Sequence, residues 1–181
     1  LNELQQKAFA EASTFDRGQN LMVIGPTSSG KTLVPKLLYY ARVLEAVREG
    51  VQPPKMLFVV PYRALAAQKV SELRDEFNRV FGSIYTLTCE QSTSEYRQAD
   101  TRIQKAEDID IGVTINEKAF VFASSDPEFL KRYQMIVFDE IGLLKDENRG
   151  IKLDFLMTWI RFLQKGSHRE PLQMIALGTP F

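Results

Sequence analysis

Cysteine is nearly absent from this chain. Cys89 stands alone, so no disulfide can form within it. A single thiol favours a reducing, intracellular setting, cytoplasmic or nuclear, and Cys89 reads as a packed thiol rather than a nucleophile. Net charge is absent too. Lys and Arg total 23 and Asp and Glu total 23. That balance does not indicate a general electrostatic grip on nucleic acid and leaves a local patch to supply one. No apolar run approaches the roughly 20 residues of a membrane span, so no membrane partner is expected. No signal-peptide pattern is visible. Repeats, low-complexity tracts and linker-like breaks are missing as well. His168 and Trp159 are the sole residues of their types. His168 lies in a polar stretch without a neighbour to partner it, and Trp159 falls where packing is the ordinary role.

What is present is globular. Of the 181 residues, 44% are hydrophobic and 25% charged, which suits one domain with a sizeable core. Leu1 to Ala12 has a helical face made of Leu1, Leu4, Ala8 and Ala12. Gly18 closes that segment, and Leu21 to Ile24 reads as a first strand. Leu33, Leu37, Ala41 and Leu44 repeat at helical spacing. Pro35 interrupts that pattern and predicts a kink or a delayed helix start. Met56 to Val60 is continuously apolar, as a strand buried on both faces is. A helical stripe follows at Ala66, Val70, Leu73, Phe77 and Val80. Ile84 to Thr88 is the candidate third strand. Ser92 to Ser94 are candidate caps for a helix with a stripe of Tyr96, Ala99, Ile103 and Ala106. Asp110 to Thr114 reads as strand four, Glu117 to Ala123 as a short helix, and Asp126-Pro127 as the start of another. Met135 to Phe138 is strand five. Leu153, Leu156, Met157, Ile160 and Leu163 mark the last helix, and Gln173 to Leu177 strand six. Alternating strands and helices imply parallel pairing through right-handed crossovers, in one three-layer α/β domain spanning residues 1–181.

One stretch organises the rest. Gly25-Pro26-Thr27-Ser28-Ser29-Gly30-Lys31-Thr32 has Gly, four free positions and Gly-Lys-Thr, between an apolar run and a helical pattern. A strand, tight loop and helix N-terminus aim backbone N–H groups and the helix dipole at one anion. Lys31 is placed to reach the β- and γ-phosphates of a nucleoside triphosphate, and Thr32 to put its hydroxyl on Mg²⁺.

Asp139-Glu140 follows the fifth apolar run. Acidic residues at the carboxyl end of a buried strand lie on the ligand-binding edge of an open α/β sheet. Asp139 is expected to hold Mg²⁺ through water. Glu140 is expected to orient or deprotonate the attacking water, since phosphoryl transfer depends on positioning and electrostatics.

Together these residues resemble the first RecA-like domain of a superfamily-2 helicase of the DExH type. Gln5-Gln6-Lys7-Ala8 resembles the adenine-reading Q motif, with Gln5 the reader. The Gly25–Thr32 stretch resembles motif I. Val60-Pro61-Tyr62-Arg63-Ala64-Leu65-Ala66 resembles motif Ia, which touches the nucleic-acid backbone, with Arg63 the phosphate contact. Thr114-Ile115-Asn116-Glu117-Lys118 resembles motif Ib, with Thr114, Glu117 and Lys118 in register. Asp139-Glu140-Ile141-Gly142 resembles motif II. Asp146 to Gly150 with Leu153-Asp154 is similar to the stretch that follows in the Ski-like group. The resemblance spans the chain, with its motifs in the family's order. It implies a RecA-like P-loop NTPase domain with a mainly parallel central sheet. It also implies ATP and Mg²⁺ as cofactors, DNA or RNA, single-stranded, as partner, and an ATP-dependent helicase or translocase activity.

Two departures fall on the family's coupling path. Gly142 stands where the family has His or Asp. Leu177-Gly178-Thr179-Pro180 stands at motif III and keeps only the Thr and Pro of Ser-Ala-Thr-Pro. They support an alternative, an ATP-gated binding switch that unwinds nothing. A small-molecule kinase is a third reading, but the Arg-rich acceptor lid it needs is not evident. The family's motor uses a second RecA-like domain that supplies arginines to the transferring phosphate, worth about 10³–10⁵ in rate. That domain is expected outside these residues. The chain is therefore expected to be a fragment that binds ATP and hydrolyses it weakly alone.

Overall fold

Continuous apolar runs become buried strands. The computed structural model describes residues 3–10, 19–92, 97–166 and 172–180. Its strands are β1 Leu21–Ile24, β2 Met56–Val60, β3 Cys89–Ser92, β4 Ile111–Ile115, β5 Met135–Asp139 and β6 Gln173–Gly178. They form one six-stranded sheet in the order β1-β6-β5-β2-β4-β3, parallel at every pairing. The helices are α1 Glu3–Ala10, α2 Leu33–Glu49, α3 Arg63–Phe81, α4 Arg97–Lys105, α5 Asn116–Ser125 and α6 Arg149–Gly166.

Strand alternation divides the core into two layers. Met56, Phe58 and Val60 of β2, with Met135 and Val137 of β5, face a cluster that includes Leu38 and Val43 of α2 and Leu73 and Phe77 of α3. Leu57, Val59, Ile136 and Phe138 face the other way, against Ile103 of α4, Phe122 of α5 and Leu156 and Ile160 of α6. Helices cover both faces of a parallel sheet, the arrangement such strands require.

The third strand begins five residues later than its apolar pattern suggests. Residues 85–88 are held by side chains instead of by a ladder. Asn78 accepts from the Leu87 N–H at 2.8 Å and donates to the Leu87 carbonyl at 3.2 Å. Asp110 accepts from the Thr88 N–H and hydroxyl, both at 2.7 Å. Asp110 thereby lies just outside β4 and ties its start to this segment. The polar Cys89–Ser92 run pairs with β4 at the sheet edge, where apolar sequence is not needed.

Pro35 produces neither expected break beyond the loop. α2 begins at Leu33, so Pro35 occupies its first turn, where a missing N–H costs no helical bond. Ser92 belongs to β3, and its hydroxyl bonds the Asp100 carboxylate. Thr93, Ser94, Tyr96, Gly18 and His168 lie outside the described residues. Asp126-Pro127 leads only to a short 3₁₀ turn, Leu130–Arg132. Cys89 is buried, and desolvation pushes its thiol up to about 12.

Candidate functional site

The loop Gly25–Thr32 leaves β1 at the carboxyl edge of the sheet. Gly25 N–H donates to the Gly178 carbonyl at the end of β6 (3.0 Å), and Ser29 N–H to the Pro26 carbonyl (3.2 Å). Ser28 at φ 63° and Gly30 at φ 73° adopt left-handed backbone. Such residues alternating with right-handed ones turn successive N–H groups toward one concavity, an anion nest. Lys31 Nζ donates to the Gly25 and Pro26 carbonyls, both at 2.8 Å, which holds the ammonium within the loop. Thr32 follows at φ −61°, as the N-cap of α2, without using its hydroxyl as a cap. Gln5 is buried and donates to the Gly30 carbonyl at 3.2 Å, so it braces the loop itself.

The carboxylates arrive from β5. The strand order places β6 between β1 and β5, so the loop and Asp139 leave the same edge two strand spacings apart, about 10 Å. Burial raises the Asp139 carboxyl above its ordinary range. Lys69 opposes the rise, Glu140 and Glu72 add to it, and Lys31 opposes it. Lys69 Nζ stands 4.0 Å from Asp139 Oδ2 with its side chain 11% exposed. It also donates to Glu72 at 2.8 Å and lies 5.3 Å over the Phe58 ring. Glu72 in turn pairs with Lys36 of α2, and Lys36 with Glu76. A chain of alternating charge thus runs from Asp139 back under α2 and α3. Among the described residues, no group of three or more His, Cys, Asp or Glu forms a metal cage. Asp139 and the Thr32 hydroxyl are hard oxygen donors, which suits Mg²⁺, an ion that keeps waters and borrows phosphate oxygens.

Glu140 adopts left-handed backbone at φ 76° and ψ 77°. Its Oε1 accepts from the Gly142 N–H at 3.1 Å and from the Thr179 hydroxyl at 3.5 Å. Gly142 and Thr179, two of the three residues expected on the coupling path, thus donate to Glu140 itself.

The four nucleic-acid candidates separate. Arg63 is exposed as the first residue of α3. Thr114 is not available to a strand in solvent. It is fully buried and donates to the Ser92 carbonyl at 3.2 Å, because its position in β4 points between sheet and helix. Lys118 is committed internally to Asp100 at 2.5 Å and lies 5.9 Å over the Phe122 ring. Glu117 pairs with Arg149 at 3.3 Å, whose guanidinium sits 5.0 Å over the half-exposed Tyr62 ring. Lys69, Arg149 and Tyr62 were not singled out by the motifs. Lys69 had a legible signal: it lies three residues after Ala66 and four before Leu73 of the core stripe, so a charge there borders the buried face.

Residues 2–178 match the DEAD/DEAH box helicase family. The chain is 30% identical over 156 residues to the ATP-dependent DNA helicase Hel308 of Methanococcus vannielii, covering 86% of this chain and 19% of that protein. It is 32% identical over 141 residues to Hel308 of Pyrococcus abyssi, covering 78% and 18%. A probable ATP-dependent DNA helicase HFM1 of Mus musculus is 28% identical over 166 residues, covering 90% and 11%. The chain therefore spans a fifth or less of the length of these relatives. With its parallel sheet, its Gly25–Thr32 loop and its match over nearly every residue, the chain belongs to the DEAD/DEAH box helicase family.

Proposed function

We propose that these residues form the ATP-binding motor module of a nucleic-acid-dependent ATPase that moves on or remodels DNA or RNA. One observation carries the reading: Lys31 is held in a nest at the end of β1, on the same sheet edge as Asp139 and Glu140. The nest N–H groups and Lys31 bind the phosphates, and Thr32 and Asp139 hold Mg²⁺. The metal, when bound, neutralises charge on the phosphates and orients them. Glu140 orients the water and takes its proton. Gln5 braces the loop on the side where the base enters. Arg63 grips the strand backbone, a contact that positions without reading sequence. A second RecA-like domain of the same protein supplies the facing wall, and membership of the Ski-like group accounts for the Asp146–Gly150 stretch. The DNA helicases among the relatives favour DNA as the strand.

The test is ATP turnover by the intact protein with single-stranded DNA, single-stranded RNA or neither. Stimulation by DNA supports the reading. Turnover indifferent to both strands contradicts it. The absence of side chains at Gly142 and Gly178 favours a second reading, a switch whose ATP state sets affinity without unwinding. Efficient unwinding of duplex by the wild type rules that reading out.

A further inference from the structure

Lys36, Glu72, Glu76 and Lys69 lie outside every motif, yet they connect the two residues proposed to hold the metal. Thr32 is the N-cap of α2, and Asp139 ends β5. The Lys36 N–H donates to the Thr32 carbonyl at 3.3 Å, so Lys36 stands in the turn that Thr32 opens. Its ammonium pairs with Glu76 at 2.5 Å and with Glu72 Oε1 at 3.4 Å. The other oxygen of Glu72, Oε2, pairs with Lys69 at 2.8 Å. Lys69 in turn stands 4.0 Å from Asp139 Oδ2. The two lysine side chains are 9% and 11% exposed. Burying such charges is costly, and a packed apolar set of similar volume is often as stable. Stability alone therefore does not account for charge in this place. Where the charges lead does, from one proposed metal-holding residue to the other.

We infer that Lys69 and Lys36 are positioning residues for the metal site, bridged by Glu72. Lys69 fixes the Asp139 carboxylate by its Oδ2 edge, which leaves Oδ1 for a metal-bound water. The place of Lys69 is itself set twice, by Glu72 and by the Phe58 ring 5.3 Å away. Lys36 ties the first turn of α2, and with it Thr32, to the same Glu72 carboxylate that holds Lys69. The donors from α2 and β5 are thereby both referred to one side chain of α3. A cation near a metal also repels it. Here Glu72 already matches the charge of Lys69 at 2.8 Å, so the repulsion is small beside the gain from holding the ligand. Groups that orient a metal's ligands are worth about 10–100-fold in affinity for it.

This inference rests on Asp139 and Thr32 holding Mg²⁺ in the proposed site, so the test begins with Asp139→Asn. A fluorescent, non-hydrolysable ATP analogue is bound to the intact protein in EDTA and across a Mg²⁺ titration. An Asp139→Asn variant with the Mg²⁺ dependence of the wild type overturns both readings. A raised Mg²⁺ requirement in that variant upholds the metal reading and leaves the lysines to be judged by themselves. Lys69→Met should then raise the half-saturating Mg²⁺ about tenfold, while affinity for the analogue in EDTA changes less than about twofold. Lys69→Arg, which keeps the charge, should recover most of the loss. Lys36→Met, which leaves Lys69 and Asp139 in place, carries the test independently and should raise the requirement by a smaller factor. Because both lysines act through Glu72, the double variant should fall short of the product of the singles. A Mg²⁺ requirement unchanged or lowered by Lys69→Met would overturn the inference. So would equal losses of affinity in EDTA and in Mg²⁺, the mark of a packing role alone, or effects of the two lysines that multiply.

Discussion

Lys69→Met removes the cation beside Asp139 while keeping most of the stem that lies over Phe58. In the folded protein Lys69 serves two carboxylates, Asp139 at 4.0 Å and Glu72 at 2.8 Å, whose side chains are 23% and 25% exposed. At an effective dielectric constant near 20, opposite charges 4 Å apart attract by about 4 kcal/mol. Partial exposure reduces this, and Glu72 keeps Lys36 at 3.4 Å. A net loss of about 2 kcal/mol at neutral pH is expected, within the range for hydrogen bonds to charged groups. The pH dependence has a definite sign. Burial opposes ionisation of Glu72, but Lys69 and Lys36 outweigh it and hold that carboxyl below its usual range. Its contribution is present above the unfolded value and lost as pH falls through the folded one. Asp139 is raised, so it costs stability once pH climbs past its unfolded value. Removing Lys69 enlarges that cost and forfeits the Glu72 gain, both at neutral pH. Urea unfolding at pH 7.5 and at a pH below the folded-state value of Glu72 should therefore show the penalty shrinking in acid. An equal penalty at the two pH values would refute the placement of Lys69 as counter-charge.

Other outcomes follow from the same geometry. Arg63→Ala should weaken single-strand binding severalfold and reduce the salt slope by about one, whereas Lys118→Ala, already paired with Asp100, should change affinity less than about twofold by fluorescence anisotropy. Equal losses from the two would place Lys118 on the strand after all. Cys89, buried with its thiol pushed up to about 12, should react with an aromatic disulfide reagent at pH 8 far more slowly in the native protein than in urea. Comparable rates would contradict its packing. Gln5→Ala, which removes the brace on Gly30, should lower ATP affinity and relax preference over GTP. Equal use of GTP by the wild type would leave Gln5 without a base to read.

Much of this architecture could be read from periodicity, for reasons visible in particular residues. Met56–Val60 and Met135–Phe138 are apolar without interruption because helices cover both faces of their strands, and such runs declare themselves. Cys89-Glu90-Gln91-Ser92 does not, since an edge strand paired on one side tolerates polar side chains, and Ile84–Thr88 has the more strand-like composition. Its backbone is claimed instead by Asn78 and Asp110, residues distant in sequence or on another element. The candidate phosphate loop was legible because its pattern is local, contained in eight consecutive residues. The ion-pair chain through Lys69, Glu72, Lys36 and Glu76 was not, because it joins α2 to α3 and acquires meaning only when β5 brings Asp139 beside it. Thr114 shows the converse case. A motif match gave its position along the chain, but the strand's alternation decided which way its hydroxyl points.

The loop after β1 is proposed to bind a triphosphate through Lys31. A titration of a fluorescent ATP analogue with Mg²⁺ into this chain, wild type against Lys31→Ala, tests it most directly. Saturable binding by the wild type, competed by ATP, is expected, with a loss of at least about tenfold in affinity for the variant, as removal of a charge-assisted phosphate contact entails. Equal affinity in the two proteins, with the variant folded by circular dichroism, would contradict it.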